Sequence, residues 1–254
     1  MTQTRDTAAL LTYILCVRLA RHIVGEEALS EPLALSDSNL GSFRAAAAAF
    51  AVLSNGRSTS LPPEKVFRAE NAVDLSLLNR TLIMLNLGHT DVTDADLEHL
   101  KELTALKWLN LEDTRITDNG LQHLNGLTGL NGLQLKDTSI TDAGLERLRG
   151  LTSLEDLGLC HTEVTDGGLV HLSSFPALTM LDLKGTAITD AGLEYLKSLT
   201  TLRVLMLERA EITNAGLRHL TGLTALRWLF LDGPFSAPAL VDLQYALPNC
   251  SIQC

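Results

Sequence analysis

Aromatic side chains are scarce in this chain. They make up 4% of its 254 residues, whereas apolar residues as a whole make up 46%. A chain of this length buries a substantial core in one or two domains. Because the aromatics are so few, leucine and alanine must fill that core.

Cysteine is also rare, with only Cys16, Cys160, Cys250 and Cys254 present. No two of them have C-x-x-C or zinc-ligand spacing, so the sequence predicts neither a disulfide framework nor a zinc site. This pattern favours a reducing, intracellular compartment. Residues 7–17 (TAALLTYILCV) resemble a short signal-peptide core, but no A-x-A cleavage site follows them. Export therefore stays open as an alternative.

Long apolar runs and an excess of positive charge are both absent. No run approaches the roughly 18 to 20 residues that a membrane helix needs. The chain has 20 basic and 30 acidic residues, a net charge of −10, and residues 1–81 contain eight of each sign. Residues 82–254 therefore carry all of the net charge. Such a surface repels phosphate backbones, so nucleic acid is not expected as a partner.

The sequence also lacks the common catalytic motifs. It contains no G-x-S-x-G, Walker-type loop, H-E-x-x-H or EF-hand spacing. Cys160 and His161 are adjacent, so on an extended chain their side chains diverge and do not pair as nucleophile and base. We therefore predict no catalytic residue, no cofactor and no enzymatic activity.

What the sequence does contain is a repeat of 24 residues. TRITDNGL at 114–121 is followed at this interval by TSITDAGL, TEVTDGGL, TAITDAGL and AEITNAGL. A fixed period of this length indicates one supersecondary unit stacked on copies of itself. The general pattern is L-x-x-L-x-L-x-x-T-x-[IV]-T-D-x-G-L-x-x-L-x-x-L-x-x. The seven units begin at Leu82, Leu106, Leu130, Leu154, Leu178, Leu202 and Leu226.

Each unit reads as a strand followed by a helical segment. The L-x-L part alternates as a strand with one buried face does, and the later leucines have a spacing of three that suits a helix or 3₁₀ segment. The Thr before Asp can cap that segment, and the Asp favours its positive start. A glycine followed by Leu predicts that the helical segment ends in a Schellman motif. This pattern occurs at Gly126, Gly150 and Gly222.

A threonine recurs at the ninth position of the unit, where we expect it to be buried with its hydroxyl bonded to loop backbone groups. Ala210 interrupts this series. The threonines are Thr90, Thr114, Thr138, Thr162 and Thr186.

This pattern resembles the leucine-rich-repeat family, whose hallmark is L-x-x-L-x-L-x-x-N/C-x-L. The T-x-[IV]-T-D-x-G-L continuation resembles a 24-residue version common in bacterial repeat proteins. The resemblance implies an α/β solenoid, or horseshoe, with a parallel β-sheet on the concave face and helices on the convex face. It would occupy residues 82–254 and end in a truncated strand near 247–252, formed by Leu247, Cys250 and Ile252. Residues 1–81 are predicted to form a helical N-terminal cap.

Solenoids of this kind bind with the concave surface, where strand positions three and five should point outward. Five of these residues are neighbours on three adjacent strands and predict one exposed apolar patch: Met180, Val204, Met206, Trp228 and Phe230. In the alternative, the C-terminal tail covers the last two. Trp108 is a further aromatic candidate. The carboxylates beside the patch are Asp182, Glu208 and Asp232.

Position eight offers a metal-site hypothesis. Side chains on adjacent strands are near enough for two or three to share a divalent cation, with Glu112 alongside. The candidate ligands are His89, Asp113, Asp137 and His161.

The family resemblance and this surface together predict a non-catalytic, monomeric protein-interaction module. Its partner would be a protein or peptide, basic and with an apolar anchor. Two alternatives stay open: an architectural, envelope or secreted effector scaffold, and a metal-dependent enzyme.

Overall fold

The computed structural model of the chain describes residues 82–254. Eight strands of three residues form one parallel sheet in sequence order. From β1 to β7, each strand residue pairs with the residue 24 positions later, as Leu85 does with Leu109. The predicted parallel sheet is therefore confirmed. The strands are β1 Met84–Asn86, β2 Trp108–Asn110, β3 Gly132–Gln134, β4 Asp156–Gly158, β5 Met180–Asp182, β6 Val204–Met206, β7 Trp228–Phe230 and β8 Ser251–Gln253.

Short helical segments return the chain from one strand to the next. Three are α-helices, α1 Asp142–Arg147, α2 Asn214–Leu217 and α3 Ala237–Ala246, and the others are 3₁₀ helices. Within residues 82–254, no helix has the length and apolar character needed to cross a membrane. The predicted cap of residues 1–81 lies outside the described residues. The 3₁₀ helices are Asp96–Leu100, Gly120–Leu124, Leu148–Gly150, Gly168–Ser174 and Gly192–Ser198.

Leucines from the strand and from the helical segment of every unit meet in one continuous core. Leu109, Leu133 and Leu157, at the fourth position of successive units, are fully buried, and so are the leucines of the facing helical segments. Each such side chain contributes about 2 kcal/mol through its burial. Phe175 replaces one helical-segment leucine and is also fully buried, so aromatics are almost unused in this interior.

The ninth-position threonines bond to the strand end of their own unit. Thr114 Oγ1 donates to the carbonyl of Leu111 at 2.7 Å, and Thr162 Oγ1 donates to Leu159 at 2.7 Å. Thr114, Thr138, Thr162 and Thr186 are buried, as predicted, whereas Thr90 in the first unit is half-buried. The backbone group that each hydroxyl satisfies is therefore the carbonyl three residues earlier.

The T-D pair joins successive units. Asp94 accepts two hydrogen bonds from the next unit, from Thr117 N at 2.7 Å and from Thr117 Oγ1 at 2.6 Å. The sequence interpretation gave this Asp a role at the start of its own helical segment, whereas the structure uses its carboxylate between units. The same pair of bonds recurs at Asp118–Thr141, Asp142–Thr165, Asp166–Thr189 and Asp190–Thr213.

The glycine two residues after this Asp makes room for the carboxylate of the preceding unit. A Cβ atom placed on Gly168 would lie 2.5 Å from Asp142 Oδ1, and one on Gly120 would lie equally close to Asp94 Oδ1. Such an approach is too short for any side chain. The T-D-x-G signature is therefore one inter-unit contact, in which Thr donates, Asp accepts and Gly leaves space.

The end units replace this contact in different ways. The first unit has Asp96 where units two to six have glycine, and Asp96 Oδ2 accepts from N and Oγ1 of Thr93 in the same unit, both at 2.8 Å. In the sixth unit, Asn214 Oδ1 accepts from Ser236 N at 3.0 Å, and Ser236 caps α3. Each terminal substitution therefore supplies a partner that the regular pattern lacks there.

The predicted Schellman stops are wrong. In residues 82–254 the only glycines with positive φ are Gly185 and Gly233. The helical segments instead end in 3₁₀ turns, as where Leu151 N donates to the Leu148 carbonyl at 2.9 Å. Such a turn needs no left-handed residue, because its bond closes within three residues.

The register of the last strand also differs from the prediction. We expected Ile252 at the sixth position of its unit, but it pairs with Leu229 and so takes the fourth. Leu247 is buried, and its N–H donates to Leu243 at 2.9 Å. Leu247 therefore completes the end of α3 and does not begin the strand.

The inter-unit contact predicts a coupled pair of substitutions. Asp142→Ala removes both bonds to Thr165 and should lower the free energy of unfolding by about 1–2 kcal/mol. Gly168→Ala should destabilise the native chain but be neutral or stabilising when residue 142 is Ala, because alanine favours helix over glycine. Urea melts of the two single variants and the double variant measure this coupling. Asp242→Ala is the control, since Asp242 is exposed on α3. Additive effects of the two substitutions would contradict the contact.

The threonine series predicts a second stability effect. Thr138→Val keeps the side-chain volume but leaves the Leu135 carbonyl without its hydroxyl partner, at a cost of about 1 kcal/mol. Ala210→Thr is the reverse substitution and should add the missing bond in the sixth unit. Thermal melts compare the two, and a neutral Thr138→Val would show that the hydroxyl contributes nothing.

Candidate partner-binding face

The predicted apolar patch lies together on β5, β6 and β7, but most of it is not exposed. Met180, Val204, Met206 and Phe230 are between 2% and 5% exposed, and only Trp228 is half-buried. The prediction of an exposed patch is wrong for those four residues. Neighbouring strands lie about 4.8 Å apart, so bulky side chains at the same position of adjacent strands lie side by side and shield one another.

The C-terminal tail lies beside this strip as the next strand of the sheet. Ser251 of β8 pairs with Trp228, and Gln253 pairs with Phe230. The tail therefore pairs beside Trp228 and Phe230 as a strand and does not lie over them, so the alternative is wrong. Trp228 keeps an accessible part and is the member of the strip that a partner can reach.

Trp108 lies at the other end of the sheet, over a glycine. A Cβ atom on Gly132 would collide with the Trp108 ring, so the indole lies across the neighbouring strand. Trp108 is half-buried, and its indole N–H is buried without a hydrogen-bond partner. On the next strands, Gln134 covers Gly158 and donates to Asp156 at 2.9 Å. Glycines on this face therefore let large side chains lie flat on the sheet.

Several side chains at the fifth position hold the turn after their strand. Asn86 Oδ1 accepts from Gly88 N at 3.0 Å, Asn110 Oδ1 from Glu112 N at 2.9 Å, and Asp182 Oδ1 from Lys184 N at 2.9 Å. These are Asx-type bonds to the backbone two residues later. The sequence interpretation counted these residues only as part of the binding surface. Their recurrence as Asn or Asp was the available signal.

The seventh position carries ion pairs between neighbouring units. Lys184 Nζ lies 2.9 Å from Glu208 Oε1, and Lys136 pairs with Glu112. Burial disfavours the charged amine of Lys136, but its bonds to Glu112 and Asp137 outweigh this and raise the pKa of Lys136. Between the two lysines, burial raises the pKa of Cys160 to about 12. At neutral pH this thiol is protonated and a poor nucleophile.

The prediction that the eighth position lies on the strands is wrong: its residues lie in the turns that follow the strands. Five non-glycine residues there have φ between 50° and 60°, in the left-handed region. Within this row His89 Nδ1 lies 3.0 Å from Asp113 Oδ2, and His161 Nδ1 lies 3.0 Å from Asp137 Oδ1. The five residues are His89, Asp113, Asp137, His161 and Arg209.

The metal hypothesis for this row is not supported. In the described range 82–254, no three His, Cys, Asp or Glu side chains are placed to hold a metal ion. The four candidates form two separate His–Asp pairs. In addition, the Lys136 ammonium group lies 3.3 Å from Asp137 Oδ2, and therefore supplies positive charge where a divalent cation would bind.

Asp182 is the most strongly perturbed carboxyl group of the face. Burial, with a smaller contribution from the nearby Glu208 charge, raises the pKa of Asp182 to about 6. The Lys184 N–H and the charges of Lys184 and His161 act in the opposite direction. Asp182 is the strand neighbour of Met206 in the sheet. A cationic group of a partner placed here would therefore favour its ionised form.

This raised pKa predicts that Asp182→Asn stabilises the chain above pH 6. The folded carboxyl binds its proton more tightly than the unfolded one, so the stability that it contributes is complete below about pH 4 and is lost as the pH rises through 6. Asparagine stays neutral at both pH values. The free energy of unfolding of Asp182→Asn should therefore exceed that of the native chain by on the order of 1–2 kcal/mol at pH 7.5, and should equal it at pH 4. Thermal melts at the two pH values test this, with the exposed Asp242→Asn as control. An equal increase in stability at both pH values would contradict the raised pKa of Asp182.

Comparison with known proteins agrees with this architecture. The leucine rich repeat family model matches residues 176–233. No curated protein matches the chain. Among solved structures, an internalin (inlF) of Listeria monocytogenes has a TM-score of 0.55 at 23% identity, covering 68% of this chain and 54% of that one. An internalin C2 of the same organism has a TM-score of 0.49 at 22% identity, covering 81% and 92%.

A further similar structure is that of TLR13 in complex with ssRNA13. Its TM-score is 0.52 at 23% identity, and the match covers 68% of this chain and 25% of that one. The chain therefore spans about half of the inlF structure and a quarter of the TLR13 structure. At these identities the similarity concerns the fold.

Proposed function

Because residues 82–254 form a solenoid of leucine-rich repeats, we propose that the chain is a non-catalytic module that binds a protein or peptide partner on its concave face. The observation that carries this proposal is the accessible Trp228 side chain at the edge of the buried apolar strip on β5, β6 and β7. Tryptophan is among the residue types most enriched at interface hot spots. The Cys160 thiol of this face is protonated at neutral pH, so it offers little support for nucleophilic catalysis.

Trp228 is the proposed contact residue of the strip, and the four buried members support it from the side. Val204 pairs with Trp228 on the neighbouring strand, and this buried neighbour should restrict the Trp228 side chain, which would lower the entropy lost when a partner packs on it. Trp108 forms a second aromatic contact about five strands away. A partner that reaches both would run across the strands.

The charges favour a basic group beside the apolar anchor. Asp232 is exposed just after β7, Glu208 follows β6, and Asp182 ends β5. The net charge of −10 attracts cationic partners over the Debye length of about 8 Å at physiological salt. Association should therefore be faster at low ionic strength.

Selection of peptides from a random display library against the full chain tests this function. The enriched sequences should combine an aromatic or aliphatic anchor with Lys or Arg. Trp228→Ala should lower the affinity of a selected peptide by about 2 kcal/mol or more, roughly 30-fold. Titration calorimetry measures this effect. Tyr195→Ala is the matched control, because Tyr195 is an aromatic residue that is 44% exposed in a helical segment.

The same peptides identify the face that is used. Native affinity in both Trp228→Ala and Trp108→Ala, with unchanged melting curves, would mean that the partner binds elsewhere. Enriched sequences with Asp or Glu in place of Lys or Arg would overturn the charge assignment alone.

A further inference from the structure

Two arginines lie side by side where β6 and β7 begin. Arg203 and Arg227 occupy the second position of successive units, and the N–H of Arg227 donates to the Arg203 carbonyl at 2.8 Å. This bond places the two residues on neighbouring parallel strands, about 4.8 Å apart. Both are exposed. The two exposed side chains therefore start from neighbouring backbone positions at the edge of the sheet where β6 and β7 begin.

Neither guanidinium is neutralised by the rest of the described chain. The ion pairs of residues 82–254 involve other residues, and Arg227 Nη1 donates only to a backbone carbonyl, that of Leu226, at 3.1 Å. The nearest acidic residue at the second position is Glu155. It lies two strands before Arg203, and its carboxylate accepts from Asn131 Nδ2 at 3.1 Å. The arginine pair is therefore charged and uncompensated within an acidic protein.

This arrangement works against folding. Like charges on adjacent strands repel each other, and a chain with 30 acidic residues had ample means to neutralise them. Local conflicts of this kind occur at functional sites, where the missing partner is a ligand. Each guanidinium presents a planar set of donors that matches an oxyanion with two bonds. The missing partner is therefore an anion.

We propose that Arg203 and Arg227 together bind the side-chain carboxylate of a Glu or Asp residue of the protein partner. The inference rests on the proposed function and adds an acidic group to the partner. A carboxylate suits this surface better than a phosphate, because the −10 net charge repels a doubly charged group more strongly.

The pair also orients the partner. Arg227 directly precedes Trp228 at one end of β7, and Asp232 follows at the other end. These ends are five residues apart, or about 16 Å along a strand. A partner segment lying along β7 therefore places its carboxylate at the arginines, its apolar anchor at Trp228 and its basic group near Asp232.

Arginine side-chain NMR of the full chain tests the pair without any natural partner. Amidated tri-glutamate is the probe, tri-glutamine the neutral comparison and inorganic phosphate the third ligand. Tri-glutamate should shift the Nε–Hε signals of Arg203 and Arg227, and tri-glutamine should not. The double variant R203Q/R227Q should bind tri-glutamate at least about tenfold more weakly. Arg218→Gln, which changes an exposed arginine outside the pair, should bind normally.

Thermal melts separate binding from structure. Because no ion pair is lost, R203Q should leave the Tm unchanged or raise it. A lower Tm would assign Arg203 a structural role and overturn the inference. So would equal tri-glutamate binding by R203Q/R227Q and the native chain, or shifts caused by phosphate alone. If tri-glutamate binding does not depend on the two arginines but peptide binding depends on Trp228, the arginine site is overturned and the proposed function stands. If tri-glutamate binding depends on the arginines but no peptide binding depends on Trp228 or Trp108, the proposed function is overturned.

Discussion

The hydrogen bonds from Thr to the Asp of the preceding unit are the constraint on which the rest of this structure depends. Each bond pair holds two units at one spacing, and the glycine beside it allows the close approach. A solenoid is only as stable as the contacts between neighbours. Because these contacts repeat every 24 residues, they also impose the parallel register in which equivalent residues lie next to one another across the sheet.

That register decides the chemistry of the concave face. Bulky apolar residues placed one strand apart shield each other, so the centre of β5–β7 is an apolar floor with Trp228 as its accessible member. Charges one unit apart pair off, as Lys184 does with Glu208. Charge is left uncompensated mainly at the edges, where Arg203 and Arg227 begin their strands and Asp232 ends its own. The face is therefore polar at both ends and apolar between them.

Much of the fold could be predicted because its signals lie within one unit. The alternating leucines, the buried ninth-position Thr and the helical spacing depend on residues a few positions apart. The last strand was harder, because α3 uses Leu247 for its own end and so moves Ile252 by two positions. The Asx bonds of Asn86 and Asn110 were readable in principle, since Asn recurs two residues before the same turn.

The sequence by itself determined the period, the order of strand and helical segment, and which leucines face inward, because these follow from local spacing and burial. Only the tertiary structure decided what happens between units. It turned the Asp of T-D into an acceptor for the next unit, divided the position-eight row into His89–Asp113 and His161–Asp137, and buried Met180, Val204, Met206 and Phe230. Contacts between residues 24 positions apart depend on how side chains share the space between strands, and a linear pattern does not contain that information.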